Sequence, residues 1–289
     1  MSIIDFFTDM SNPALAFLPR ALLMAVMSSV LCGVVGTHVV LRGLSFVGDA
    51  LSHAVFPGIA VSFALGTSTL IGGAAAGIAV AVLIALFAYN QAVREDSLIG
   101  IFFTAAFALG LLIISRLPNY TGSLESLLFG SLTGVRSRDL LVVAAVGIAV
   151  LGLLLYYHQV LLAVSFDRDY ARAIGYSPLR TDLLLYLCIA ISVVISVSTI
   201  GNILVIALLV APAAAARMIS PRVSSMMLIA PLIGICAAVI GMWVSWAFAV
   251  PTGAAIVLVV SVIFVLVWIV VALRTRYAAR RRKLPVFGA

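Results

Sequence analysis

Apolar residues run through the chain in long blocks, and polar residues are confined to short breaks between them. Runs of about 17–25 residues are long enough to cross a bilayer as helices. Nine such runs are read here: 22–41, 46–65, 70–89, 98–114, 140–157, 183–200, 203–218, 226–248 and 254–273. The breaks are chemical, among them Arg42-Gly43, Gly66-Thr67, Arg94-Glu95-Asp96, Gly201-Asn202 and Pro251-Thr252-Gly253. The seventh run is short and contains Pro212, so a broken or re-entrant helix is expected there. The expected fold class is an all-α polytopic membrane protein with about eight to nine spans in a single domain. The longest loops, 115–139 and 158–182, have room for one short helix and two turns.

Composition supports this reading. The chain has 289 residues, 64% hydrophobic and 9% charged, against about 25% charged in soluble domains. Asp5 and Asp9 precede the first run and no basic segment does, so that run is expected to stay in the membrane. The net charge of +7 is not a nucleic-acid footprint, because the basic residues lie between and after apolar runs. Their distribution orients the spans. With the tail Arg274–Lys283 in the cytoplasm, only Arg20, Arg116, Arg136 and Arg138 of the 17 basic residues fall outside, and the N-terminus lies outside too. Trp243 and Trp246 then sit near the outer end of the eighth span, where interfacial indoles are expected. Cys32, Cys188 and Cys236 are far apart in apolar runs, form no CxxC, and read as small core residues.

Two polar stretches need an explanation. A carboxylate inside a span costs roughly 2.5–3.5 kcal/mol on insertion scales, yet the second run holds Asp49 and His53. At i and i+4 these share one helix face, about 6 Å apart along the axis, close enough for one ion to touch both. Ser45 and Pro57 extend the stripe. One carboxylate and one imidazole suit manganese, zinc or ferrous iron and not cuprous ions. The competing reading makes Asp49 a helix-start residue and His53 a donor to a carbonyl; on spacing alone the two are evenly matched. Two ligands are too few for a tight site, whereas a second copy across a two-fold axis would supply two Asp and two His. His38, His158 and the loop residue Glu125 read as packed, interfacial and solvated, respectively. The second stretch is Phe166-Asp167-Arg168-Asp169-Tyr170-Ala171-Arg172-Ala173-Ile174-Gly175. Acidic residues at its start and Gly175 at its end mark a short helix, about residues 166–175, on the cytoplasmic side. It reads either as an interfacial helix lying on lipid or as a docking helix, and its mixed charges favour a protein partner. A phosphate-binding loop needs GxxxxGK followed by Ser or Thr, and the only lysine is Lys283. By that route the chain does not hydrolyse ATP, so any ATP drive comes from another subunit.

The chain resembles the metal-permease family of bacterial ATP-binding-cassette importers. The resemblance rests on Leu41-Arg42-Gly43-Leu44-Ser45-Phe46-Val47-Gly48-Asp49-Ala50-Leu51-Ser52-His53-Ala54-Val55-Phe56-Pro57-Gly58, on the Phe166–Gly175 stretch, on Gly201-Asn202 through Arg217, and on Pro251-Thr252-Gly253-Ala254. Gly43 departs from it, standing where many relatives carry a basic or bulky residue. The resemblance implies a multi-pass permease of the bacterial inner membrane that is a transport subunit rather than an enzyme. It implies manganese or zinc, or iron, as transported cargo, with no permanently bound cofactor. It further implies Asp49 and His53 as metal contacts, and Phe166, Asp167, Ala171, Arg172 and Gly175 as the coupling segment. The implied partners are an ABC ATPase subunit, an extracytoplasmic metal-binding protein and a second permease chain, in a homodimer or a pair, with no nucleic acid. An intramembrane protease would need a second intramembrane Asp or an H-E-x-x-H pair, and neither is present. A secondary transporter or channel for divalent cations is the alternative. It would not need a docking helix, and the inverted repeats common in such folds are not visible. Cysteines introduced at Arg276 or Arg180 in a background lacking the native thiols should resist membrane-impermeant reagents applied to intact cells; efficient labelling would invert the orientation.

Overall fold

The computed structural model describes residues 3–12, 15–44, 46–89, 93–116 and 134–282. Ser45, Glu125 and Lys283 therefore lie outside the described residues. The described chain is helical: α1 Ile3–Asp9, α2 Phe17–Leu41, α3 Val47–Ala54, α4 Phe56–Ala64, α5 Thr69–Tyr89, α6 Glu95–Ile114, α7 Ser137–Tyr156, α8 His158–Phe166, α9 Arg168–Ala173, α10 Pro178–Ile200, α11 Asn202–Ile219, α12 Val223–Phe248 and α13 Thr252–Arg282. Among the described residues nine spans are long and apolar enough to cross a membrane, with α3 and α4 together forming the second.

Several helices begin earlier than hydropathy suggests. α2 starts at Phe17, α10 at Pro178 and α12 at Val223, because polar first turns such as Pro178-Leu179-Arg180 are helical while still in the headgroup layer. Hydropathy sees the hydrocarbon, and the helix extends beyond it. The expected break at Pro212 is not there: α11 is continuous through it. The break lies instead in the second span, between α3 and α4 at Val55. Pro57 sits in the first turn of α4 and lacks the N–H that would bond the carbonyl of His53 four residues back.

α2 is the central helix and packs most extensively against α11 and α12. In lipid, helices gain little from hiding apolar surface, and small residues that allow close approach drive packing. Gly36 faces α11 so closely that an added Cβ would lie 1.8 Å from the Leu209 carbonyl oxygen, and at Gly33 it would lie 2.7 Å from the Pro231 nitrogen of α12. α4 and α5 meet through Gly58 and Gly72 in the same way, with the Gly72 carbonyl 1.9 Å from where a Gly58 Cβ would be. α10 turns directly into α11 at Gly201, whose φ of 85° suits glycine. Cys32 and Cys188 are buried as expected, whereas Cys236 is exposed on α12.

α1 was not signalled by any long apolar run. Phe6 is fully buried and meets the Trp246 ring edge-on at 5.7 Å. Trp246 thus anchors a short helix at the outer end of α12, on the side the charge distribution gives to the N-terminus. Gly36→Ala should lower the unfolding free energy by about 1–3 kcal/mol or more through overpacking, read as a reduced thermal midpoint of the purified protein in detergent. Gly100→Ala, where an added Cβ meets nothing within 4 Å, should leave it unchanged.

Candidate metal site and docking segment

Asp49 and His53 lie on α3, with His53 Nε2 3.4 Å from Asp49 Oδ1. Among the described residues this ring is the carboxylate's only hydrogen-bond or ion-pair partner, so Asp49 caps none of the described backbone N–H groups of α3. A third polar group arrives from far along the chain. Asn202 begins α11 and places its amide nitrogen 3.1 Å from His53 Nε2. The Asn202 carbonyl oxygen and His53 Nδ1 are buried and unpartnered among the described residues. The imidazole stacks on Phe56 at 5.6 Å and meets Phe103 and Phe107, one turn apart on α6, edge-on at 5.3 Å each. The three rings keep water from the apolar side of the imidazole and fix its plane.

Packing sets the depth of this cluster. Leu209 lies against Gly36, six residues and so about 9 Å along α2 from Arg42, and Asn202 lies seven residues, about 10 Å, further up α11. Asn202 is thus roughly 20 Å from the cytoplasmic charge layer, within a hydrocarbon core about 30 Å thick. A carboxylate, an imidazole and an amide meet at a helix break inside the membrane. Among the described residues no three His, Cys, Asp or Glu side chains form a group able to hold a metal. One chain therefore offers Asp49 and His53 as strong donors and Asn202 as a neutral one. His38 stands apart: it is fully buried, with its ring 5.9 Å from that of His158.

At the cytoplasmic end, Arg42 at the α2 terminus pairs with Asp182 of α10 and donates to Ser165 Oγ of α8. Arg168 at the start of α9 reaches Glu95 of α6 and lies 3.1 Å from the second oxygen of Asp182. Tyr186 adds a 3.3 Å hydrogen bond to Glu95. Arg42 and Arg168 both fall on the cytoplasmic side in the charge-based orientation, and the fold brings them together with Glu95 and Asp182.

The short helix expected over about residues 166–175 forms, though shorter. α9 covers six residues and is capped by Asp167, whose Oδ1 accepts from the backbone N–H groups of Asp169 and Tyr170 at 3.0 and 2.9 Å. Gly175 ends it at φ 90°, with Tyr176 N–H returning to the Ala171 carbonyl at 2.9 Å, a glycine stop closed by a backbone bond. Arg172 spends its charge on Asp169 at 3.0 Å. Ala171 is fully buried and so seats the helix rather than presenting it. The outward face is Phe166, 68% exposed, with Tyr170 at 59% and Ile174 at 47%. Tyr170 and Ile174 were not singled out from sequence; they lie four residues apart at the end of α9, and Phe166 closes α8 across the extended Asp167.

The fold and this site define a multi-pass membrane permease, a transport subunit rather than an enzyme. Residues 14–271 match the ABC 3 transport family, and the chain belongs to it; it is a multi-pass protein of the bacterial inner membrane. It is 36% identical over 266 residues to the manganese transport system membrane protein MntC of Halalkalibacterium halodurans, covering 92% of this chain and 91% of that protein. It is 33% identical over 276 residues to the chelated iron transport system membrane protein YfeC of Yersinia pestis, covering 93% and 94%. Its fold is similar to a chain of PsaBC from Streptococcus pneumoniae solved in complex with Fab, with TM-score 0.80, 32% identity, and 92% and 95% of the two chains covered. Tyr170→Glu and Ile174→Glu should leave stability within about 0.5 kcal/mol, as exposed substitutions do. Ala171→Glu buries an unpaired charge and should strongly reduce the folded yield. Size-exclusion and thermal-midpoint comparison of the three variants reads this directly.

Proposed function

We propose that this chain is the membrane-spanning subunit of an ATP-driven importer for a divalent transition metal, with manganese the first candidate, iron the second and zinc the third. The observation that carries the reading is the Asp49–His53–Asn202 cluster, which spans depths of roughly 10–20 Å above the cytoplasmic charge layer. Relatives over nine-tenths of the chain are named as manganese and chelated-iron transport membrane proteins, which supports the order. Chemistry supports it too. Carboxylate and amide oxygens with imidazole form a borderline-to-hard donor set, and no sulfur joins them. Two copies of the chain facing each other through α3 would place two carboxylates and two imidazoles around one ion. Asp49 is 30% exposed and His53 17% exposed in the single chain, which leaves room for such a partner. In this reading Asp49 supplies charge and His53 selects a transition metal over calcium or magnesium. The phenyl rings of Phe56, Phe103 and Phe107 exclude water, which strengthens both contacts.

The energy source is a separate ATPase subunit docked on the apolar ridge Phe166, Tyr170 and Ile174 around the capped α9. An extracytoplasmic binding protein delivers the ion at the outer face. The docking helix and the membership of this family favour this over a secondary transporter or channel.

Asp49→Asn separates ligand from helix-start residue. Asn serves as well as Asp at helix starts, whereas an uncharged amide is a poor partner for a divalent ion. Uptake of radioactive manganese in a strain lacking its own importer should fall at least about tenfold in Asp49→Asn and in His53→Ala, the loss of about 1.4 kcal/mol of ion binding or more, with normal membrane levels. Near-normal uptake by Asp49→Asn would remove the carboxylate from the ion path.

A further inference from the structure

A cavity of about 460 Å³ opens at the cytoplasmic end beside the ion-pair cluster. Arg42, Arg94 and Arg168 line it with Glu95 and Ser165, and Ala88, Val93 and Val164 form its apolar walls. The charges around it do not balance. Arg168 is shared between Glu95 and Asp182, and Arg42 leans on Asp182. Arg94 is exposed and makes no ion pair among the described residues. Three guanidinium groups thus face two carboxylates, which leaves one positive charge without a partner. Arg42 adds to the positive field of the cavity. Its side chain is only 6% exposed, its Nε and Nη1 are used by Ser165 and Asp182, and its Nη2 is enclosed by protein, so it contributes charge rather than a donor.

We propose that this cavity is a binding site for a phosphate-type anion, supplied by the headgroup of an acidic phospholipid or by free phosphate. One anionic phosphate balances the excess charge. Its tetrahedral oxygens accept from the guanidinium groups of Arg94 and Arg168 together, a geometry for which arginine is better suited than lysine. The cavity lies in the cytoplasmic charge layer, where anionic headgroups concentrate and where basic pockets between helices hold them. Its volume exceeds a bare phosphate group, and its apolar walls suit the glycerol portion of a headgroup. Arg94 belongs to neither the metal site nor the docking ridge, while Arg168, which begins α9, lines the cavity beside that ridge.

The test is binding to the purified full-length chain in detergent, independent of transport. The thermal midpoint is followed in titrations with phosphatidylglycerol, phosphatidylcholine and inorganic phosphate, and adducts are counted by native mass spectrometry. The expected result is saturable stabilisation by phosphatidylglycerol and none by phosphatidylcholine. Arg94→Gln, on the exposed rim, should fold normally and weaken the apparent affinity roughly tenfold or more, as loss of a charged hydrogen-bond donor does. Equal saturable stabilisation by inorganic phosphate supports the same site with free phosphate as its source. An absent response to both anions, or a response unchanged in Arg94→Gln, overturns the proposal. So does stabilisation produced only by a co-purified ATPase subunit, which would make a protein carboxylate the natural partner.

Discussion

Asp182 is 1% exposed and faces two arginines from two other elements. An isolated carboxylate there would be far too costly to bury ionised, so its position is stable only while Arg42 and Arg168 are both near. That requirement places the end of α2, the start of α9 and the first turns of α10 within one cluster, and Glu95 brings α6 to it. The ion pairs are weak evidence for stability, since charges taken from water lose about what they gain by pairing. Their effect is registry. Breaking the cluster by removing one partner would leave a buried charge uncompensated at the junction of four elements, typically a loss of 3–5 kcal/mol.

From that anchored end, packing by small residues decides what happens at depth. Gly36 lets Leu209 of α11 come against α2, and Gly48 sits so close to Leu209 that an added Cβ would be 2.5 Å from its side chain. α3 and α11 are therefore held to α2 through one leucine. With these contacts fixed, helical rise alone carries His53 and Asn202 to a common height. Backbone in hydrocarbon must satisfy its own polar groups, and the two departures from regular helix here, at Val55 and at Gly201, are each a single residue. Both adjoin the polar cluster, so irregular backbone occurs where polar side chains also gather.

What could be read from sequence was what is local. Nine spans are legible because each is a continuous apolar run, and the Asp49–His53 pair because i and i+4 share a face. The short helix α9 is legible from its acidic start and glycine stop. Asn202 was not, because 149 residues separate it from its contact with His53 and nothing local marks an Asn after Gly as a membrane-depth partner. The helix break was misplaced for a related reason. Pro212 and Pro57 look alike in sequence. Pro212 is buried inside a continuous helix, while Pro57 falls in the first turn after a break, where its missing N–H is tolerated. Ala171 shows the same limit: its small size fits exposure as well as burial, and only the tertiary contacts place it inside.

α9 and the end of α2 share one carboxylate. Arg168 begins α9, beside which Phe166, Tyr170 and Ile174 are exposed, and its guanidinium shares Asp182 with Arg42. Arg42 ends α2 at the turn that leads, seven residues later, to Asp49. A shift of α9 that drew Arg168 away would leave Asp182 with Arg42 alone, and a shift of Arg42 would do the reverse. Each arginine holds its own oxygen of Asp182, Arg42 on Oδ1 and Arg168 on Oδ2, so the two pairs support each other, and losing either leaves part of a buried carboxylate unpaired. The α2–α3 turn is also where the chain has room to respond: Gly43 stands at φ 72° with nothing within 4 Å of where a Cβ would be. The turn thus joins a helix fixed by small-residue packing to the short helix that carries Asp49 and His53.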